Sequence, residues 1–251
     1  MSVNNSFQDY FSAGATAYAQ HRPTYPLELV DFLARNCSHH YVAWDCGCGS
    51  GQLSTLLAER FERVIAMDSS SAQLANAKRH PRVQYCIGSA EASGLTDESV
   101  DLAVAAQAAH WFDLQAYYAE VRRVTKLGGI FALITYGNMM ADETVLQVLH
   151  HFYENVTGPY WPSGRRHVED GYRSFPFPFV ELETPQLEIR RNWDLVATIG
   201  YVETWSATAA LRHTKGDAPV EKFRRDLKEA WGAKETVRAI RWPLSIRLGR
   251  V

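Results

Sequence analysis

Tyr41-Val42-Ala43-Trp44-Asp45-Cys46-Gly47-Cys48-Gly49-Ser50-Gly51, followed by Gln52-Leu53-Ser54-Thr55-Leu56-Leu57-Ala58, reads as a buried strand, a glycine turn and a helix. The apolar run before Asp45 has the length and side chains of a strand. Leu53, Leu56 and Leu57 recur at helical spacing, which predicts an amphipathic helix. Glycines at 47, 49 and 51 let the backbone turn sharply and let a ligand approach it with no Cβ in the way. A strand feeding a helix through such a turn is the first βα unit of a doubly wound α/β sheet, where ligands sit beyond the carboxyl ends of the strands.

The turn departs from the dinucleotide fingerprint G-x-G-x-x-G, because Gln52 stands at the third glycine position and the extra glycine comes one residue early. Asp45 sits at its mouth, where a carboxylate repels a pyrophosphate and attracts an ammonium. No G-x-x-x-x-G-K-[ST] phosphate loop occurs in the chain. The turn therefore suits a nucleoside with positive charge and no phosphate, which is the chemistry of S-adenosylmethionine; the bland alternative is a glycine turn with no ligand. Arg63-Val64-Ile65-Ala66-Met67 then runs into Asp68, an acid at the end of the second strand, where such folds hold ribose hydroxyls. Asp68 and the adjacent Ser69 also stand where a helix begins and an N-cap is wanted.

Asp45-x-Gly47-x-Gly49-x-Gly51 with Asp68 resembles the class I S-adenosylmethionine-dependent methyltransferases, specifically their type 11 domain. The resemblance covers roughly residues 40 to 137. It continues through Gly88-Ser89-Ala90-Glu91, through Asp101 to Phe112, and through Glu120-Val121-Arg122-Arg123-Val124-Thr125-Lys126-Leu127-Gly128-Gly129. Tyr18, Arg22-Pro23-x-Tyr25-Pro26, Tyr160-Trp161 and Thr204-Trp205-Ser206 resemble the narrower trans-aconitate methyltransferase-like branch. The resemblance implies a Rossmann-like, seven-stranded, mostly parallel sheet with helices on both faces and an inserted substrate-recognition region. It implies Tyr18 and Arg22 at the carboxylate end of the cofactor, and Ser89, the Ala90 backbone and Glu91 around the adenine. An arginine suits the first role because it grips a carboxylate with two parallel hydrogen bonds. The product would be S-adenosylhomocysteine.

Composition sets the outer bounds. A chain of 251 residues, 46% hydrophobic and 22% charged, can be one α/β domain with a sizeable core. A net charge of −2 offers no electrostatic footprint for nucleic acid or an anionic membrane. No apolar run approaches a membrane span and no signal peptide is evident, so a cytoplasmic monomer or homodimer acting on a small molecule is expected. The four cysteines, Cys37, Cys46, Cys48 and Cys86, form neither a disulfide framework nor a metal site, and Cys46 and Cys48 read as small side chains packed at the turn.

Along the chain, residues 7 to 20 place Phe11, Ala15, Tyr18 and Ala19 at helical spacing, and His21 to Pro26 breaks that helix. Helices are predicted over 27–36, 72–78 and 113–125, with strands over 82–87, 100–106 and 130–135. The loop after the fourth strand lies near the reacting methyl. Gln107 and Ala108 are candidate cofactor contacts, and Trp111 walls off water. His110 is the loop's obvious titratable base, a substrate contact or a structural polar residue. Tyr136 faces the same crevice from the end of the fifth strand. The span 155–184 is rich in glycine, proline and aromatics, and a long irregular stretch in a compact domain is usually a functional lid. Trp161, Arg165 and Tyr172 are its candidate substrate contacts, and Arg165-Arg166 suits an anionic substrate. A sixth strand is expected over 187–193, a helix from Asp194 through Trp205, a charged helix over 217–235 and a last, antiparallel strand over 243–251.

The expected organisation is one domain: an N-terminal helical cover (1–36), a cofactor-binding core (37–137), the insertion (138–186) and C-terminal elements completing the sheet (187–251). The acceptor is expected to be a small molecule, a carboxylic acid by the branch resemblance or an aromatic or quinone-like molecule by the aromatic residues. An NAD-linked oxidoreductase and a non-catalytic cofactor-binding protein are the remaining alternatives.

Overall fold

The structure, a computed structural model, describes residues 22–251; the expected helix over 7–20 and Tyr18 lie outside them. Among the described residues eight strands follow in chain order: β1 (Val42–Cys46), β2 (Arg63–Asp68), β3 (Val83–Ile87), β4 (Val100–Ala106), β5 (Thr125–Tyr136), β6 (Val180–Leu182), β7 (Glu188–Trp193) and β8 (Arg238–Arg250). The helices are α1 (Leu27–Asn36), α2 (Ser54–Leu57), α3 (Ser71–Ala75), α4 (Leu114–Val124), α5 (Glu143–His151), α6 (Arg165–Glu169), α7 (Leu195–Glu203), α8 (Ser206–Lys215) and α9 (Ala218–Trp231).

The sheet runs β3-β2-β1-β4-β5-β8-β6, with β1 to β5 parallel and β8 antiparallel between β5 and β6. Near-continuous apolar strands such as Val100–Ala106 are what a parallel sheet covered on both faces requires. Alternation within them sorts two cores. Leu102 and Val104 face the layer of α1, α2, α5 and α7–α9, whereas Ala103 and Ala105 face the layer of α4 and the insertion. The direction of winding reverses between β1 and β4, so the crevice opens above those two strands.

Three expectations change at the C-terminal side. The segment 187–193 is a strand, but it pairs with the first half of β8, from Glu188 opposite Pro243 to Trp193 opposite Arg238. The edge place beside β8 goes to β6, drawn from the stretch expected to be irregular; three residues with Val180 exposed are too few to show a period. Trp205 stands between α7 and α8 rather than inside one helix. Strand β8 begins at Arg238; its first half pairs with β7 and its second lies between β5 and β6, which an alternation read from Leu244 onward does not reveal.

Candidate active site

A cavity of about 870 Å³ opens at the carboxyl ends of β1, β2, β4 and β5. Its floor is the glycine turn. Amides of Gly47 and Cys48 both donate to the Met67 carbonyl (2.8 and 3.0 Å), which folds the turn back over β2. The three glycines act differently. Gly49, at φ +56°, lines the cavity, and a Cβ there would meet little (Gln73 Oε1 at 3.8 Å), so the approach of a ligand is what it leaves open. Gly47 also lines it, but a Cβ would strike the Ala108 Cβ at 2.4 Å, so its bareness lets β1 and the loop after β4 close together. Gly51 is not in the lining: a Cβ would lie 2.2 Å from the Tyr85 hydroxyl, so this position is a packing site and not the ligand contact expected.

Asp45 and Asp68 make this end of the cavity acidic. Asp45 is buried; its Oδ2 accepts the Ser54 hydroxyl at 2.5 Å, and its Oδ1 is sealed without a partner among the described residues. Burial pushes its carboxyl up to about 7, with Asp68 repelling the charged form and Ser54 favouring it. Two acids in the lining favour a cation over an anion at this end of the cavity. Asp68 holds the turn to the next helix, accepting Gly49 N–H on Oδ2 and Ser70 N–H on Oδ1, each at 2.8 Å. Both Asp68 and Ser69 line the cavity, where a ribose would be met. Gln73, which also lines it, carries no signal in the sequence. Its Oε1 is buried with no partner among the described residues, and the packing of α3 against the turn places it there.

Ser89, Ala90 and Glu91 form the next wall. Glu91 Oε1 accepts the Asp113 N–H at 2.9 Å and its other oxygen takes the Ser89 hydroxyl, so the carboxylate ties this wall to the start of α4. Beyond β4, Gln107 sits at φ +57°. Its side chain donates to the Tyr136 carbonyl at 3.0 Å and accepts from Thr135 at 2.5 Å, leaving its backbone and Ala108 to face the cavity. His110 and Trp111 come next, their rings 4.8 Å apart, and both line it. Burial holds the His110 imidazole neutral, pushing it down to about 3, with the Arg165 and His167 charges adding to the effect.

The far wall is made by Arg22, Tyr136 and Pro162-Ser163-Gly164. Arg22 donates to the Tyr136 hydroxyl and the Thr204 carbonyl, each at 3.4 Å. The insertion therefore reaches the site through residues that the sequence does not single out. A Cβ on Gly164 would sit 3.1 Å from the His110 carbonyl, so a side chain would crowd the place where the insertion meets that loop. The three insertion residues expected to contact substrate stand behind this wall. Trp161 packs among Tyr153 and Trp205, with ring centroids 5.0 and 5.6 Å away. Arg165 lies 4.6 Å over Trp161 and donates to the Tyr153 hydroxyl at 2.7 Å and to Asn138 at 2.8 Å. Tyr172 is fully buried and touches His110 instead of the cavity. Aromatic side chains in a lid bury themselves first, which a linear reading cannot distinguish from pocket lining.

Residues 44–133 match the methyltransferase domain family. The chain is similar to the solved structure of an Anaeromyxobacter dehalogenans protein assigned as a type II methyltransferase. The two are 48% identical, with a TM-score of 0.85, over 91% of this chain and 97% of that one. It is also 34% identical over 229 residues to a Dictyostelium discoideum protein assigned as a methyltransferase, covering 90% of this chain and 87% of that one. A Yersinia pestis malonyl-acyl carrier protein O-methyltransferase is 33% identical over 132 residues, 52% of this chain and 45% of its own length.

Proposed function

The chain belongs to the class I S-adenosylmethionine-dependent methyltransferases, and from that premise we propose that its acceptor is a small carboxylic acid. The family sets aside the NAD-linked and non-catalytic readings. The bound cofactor supplies an activated methyl whose transfer to a carboxylate oxygen forms an O–CH3 bond as the C–S bond breaks, its electron pair remaining on sulfur.

The observation that carries the acid is the polarity of the cavity. Asp45, Asp68 and Glu91 lie on one side, whereas the charge of Arg165 is felt at His110 on the other; Arg22, on the far wall, is spoken for by the cofactor's own carboxylate in the resemblance. Opposed fields of this kind orient a ligand that is cationic at one end and anionic at the other. The name of the Yersinia pestis relative, which refers to O-methylation of a malonyl-carrying protein, supports an oxygen acceptor. So does the resemblance to the trans-aconitate branch. What the chain contributes is alignment, since holding the acceptor in line converts the step to an effectively unimolecular one. Trp111, Phe112 and Tyr136 in the lining favour the second reading, an aromatic or quinone-like acceptor, for which His110 would be the first base to test.

A screen of small mono-, di- and tricarboxylic acids and of phenols, read as S-adenosylhomocysteine release, decides between them. Release with acids, weakened at the acceptor KM by Arg165→Ala, is the expected result. Turnover of phenols alone overturns the acid reading.

A further inference from the structure

Gln73 stands on α3 and is only 3% exposed, yet it lines the cavity. Its backbone is tied to the turn that Asp68 organises: the Gln73 N–H donates to Ser70 Oγ at 3.3 Å, and the Ser70 N–H donates to Asp68 Oδ1 at 2.8 Å. The other Asp68 oxygen takes the Gly49 N–H, also at 2.8 Å. Apart from its chain neighbours, a Cβ on Gly49 would have only Gln73 Oε1 within 4 Å among the described residues, at 3.8 Å. The Asp68 carboxylate, the bare Gly49 and the Gln73 carboxamide therefore meet at one corner of the cavity, and all three residues line it.

The two ends of the carboxamide differ. Oε1 is sealed and accepts no hydrogen among the described residues. Nε2 has no acceptor among them either, but it is not sealed, and in a residue that lines the cavity its opening is onto the cavity. Turning the carboxamide by half a turn would seal the NH2 instead, and two unmet hydrogens cost more than the lone pairs of an unmet oxygen. The side chain thus offers the cavity a donor. Buried polar groups in native chains find partners, so a donor held here points to a ligand atom that accepts from it. A carboxylate only accepts hydrogens and an amide NH2 only gives them, whereas a hydroxyl has one hydrogen to give and lone pairs to fill. Acceptor and donor side by side make a hydroxyl site. An ammonium would face the hydrogens of the NH2, and a carboxylate would face the charge of Asp68.

We propose that Gln73 is a cofactor-binding residue: its Nε2–H donates to one ribose hydroxyl of S-adenosylmethionine while Asp68 accepts that hydroxyl's hydrogen, so that the pair selects a ribonucleoside over its deoxy counterpart. The acid alone is less selective, because a lone carboxylate accepts equally from an ammonium or a water. The donor beside it narrows the site to a group that gives and takes at the same atom. The proposal does not depend on the identity of the methyl acceptor.

The test is titration calorimetry of the whole chain with S-adenosylhomocysteine and with its 2′-deoxy and 3′-deoxy analogues, in wild type and in Gln73→Met, which keeps the length of the side chain and removes the amide. Gln73→Met should bind S-adenosylhomocysteine about three- to tenfold more weakly than wild type, the worth of one neutral hydrogen bond. The analogue that lacks the contacted hydroxyl should bind both proteins alike, whereas the other analogue should suffer the same loss as the parent ligand. A contact gives this non-additivity and a general loosening of the site does not. An equal loss for all three ligands overturns the proposal, and so does unchanged binding of S-adenosylhomocysteine in Gln73→Met. Gln73→Glu keeps the shape and replaces the donor with an acceptor, so it serves where the apolar variant folds poorly; wild-type affinity in Gln73→Glu overturns the donor role. No acceptor is present in any titration, so the acid reading can fail without touching this result.

Discussion

Replacing Asp45 with asparagine should make the protein more stable and a worse cofactor binder. The carboxyl is buried, and burial raises it from 3.8 to about 7. A carboxylate with a folded-state pKa above its unfolded value binds its proton more tightly when folded. Stability therefore falls as pH rises from about 4 to about 7, and the whole cost is present above 7. Three pKa units correspond to about 4 kcal/mol. Asparagine keeps the Ser54 bond but brings an NH2 with no evident acceptor at Oδ1, which leaves a net gain of about 1–3 kcal/mol. For a chain of this size that is a rise of roughly 2–12 °C in the unfolding midpoint of the ligand-free protein at pH 8, shrinking as the pH falls and reversing sign near pH 4, where the charge cost is gone and the cost of the unpaired NH2 remains. A charge-assisted bond to an ammonium is worth about 1.5–3 kcal/mol, so the expectation that Asp45 meets the cofactor's ammonium predicts roughly a 10- to 150-fold loss of affinity. Wild-type affinity should also fall up to tenfold per pH unit below about 7, as the carboxylate must first lose its proton, while the asparagine variant's affinity stays flat. Differential scanning calorimetry and titration calorimetry with S-adenosylmethionine at pH 5 and pH 8 check both halves. A variant that is less stable at pH 8, or that binds the cofactor as tightly as wild type, would refute the reasoning.

Three further outcomes are expected. Asp68→Ala should weaken S-adenosylmethionine by at least tenfold in a calorimetric titration, because it removes a carboxylate from the cavity wall where a ribose would be met and frees the Gly49 and Ser70 amides from their shared anchor. Gly51→Ala should cost about 2–5 kcal/mol by urea unfolding, the sum of a strained φ and a collision with Tyr85, yet leave the folded fraction's cofactor affinity near wild type. Arg165→Ala should raise the acceptor KM while kcat stays within a few-fold, and should cost about 1–3 kcal/mol of stability, because the guanidinium also bonds Tyr153 and Asn138 and covers Trp161. An unchanged KM for an acid acceptor would remove Arg165 from the specificity argument.

The cofactor half is legible in the sequence because local chemistry and position coincide there. Asp45, Gly47, Gly49, Asp68 and Ala90 all end strands or begin the loops after them, and in a parallel sheet those loops meet at one edge whatever else the chain does. Gly51 reads as part of the same device because a glycine's spacing does not say whether a ligand or Tyr85 fills the room it leaves. The acceptor half is less legible. Trp161, Arg165 and Tyr172 carry the right chemistry, but the insertion turns them toward its own interior and sends Pro162, Ser163 and Gly164 to the cavity.

Sequence by itself determined the doubly wound sheet, the cofactor class and the acidic floor, because strand period, turn chemistry and charge act over a few neighbouring residues. Tertiary structure alone decided that β8 divides itself between β7 and the pair β5 and β6, that one Asp45 oxygen has no partner among the described residues, and that Tyr172 reaches back to His110. Each of these depends on groups distant along the chain or on burial by the whole fold. No local pattern encodes such contacts, since their energy comes from excluding water between segments that meet only once the sheet has formed.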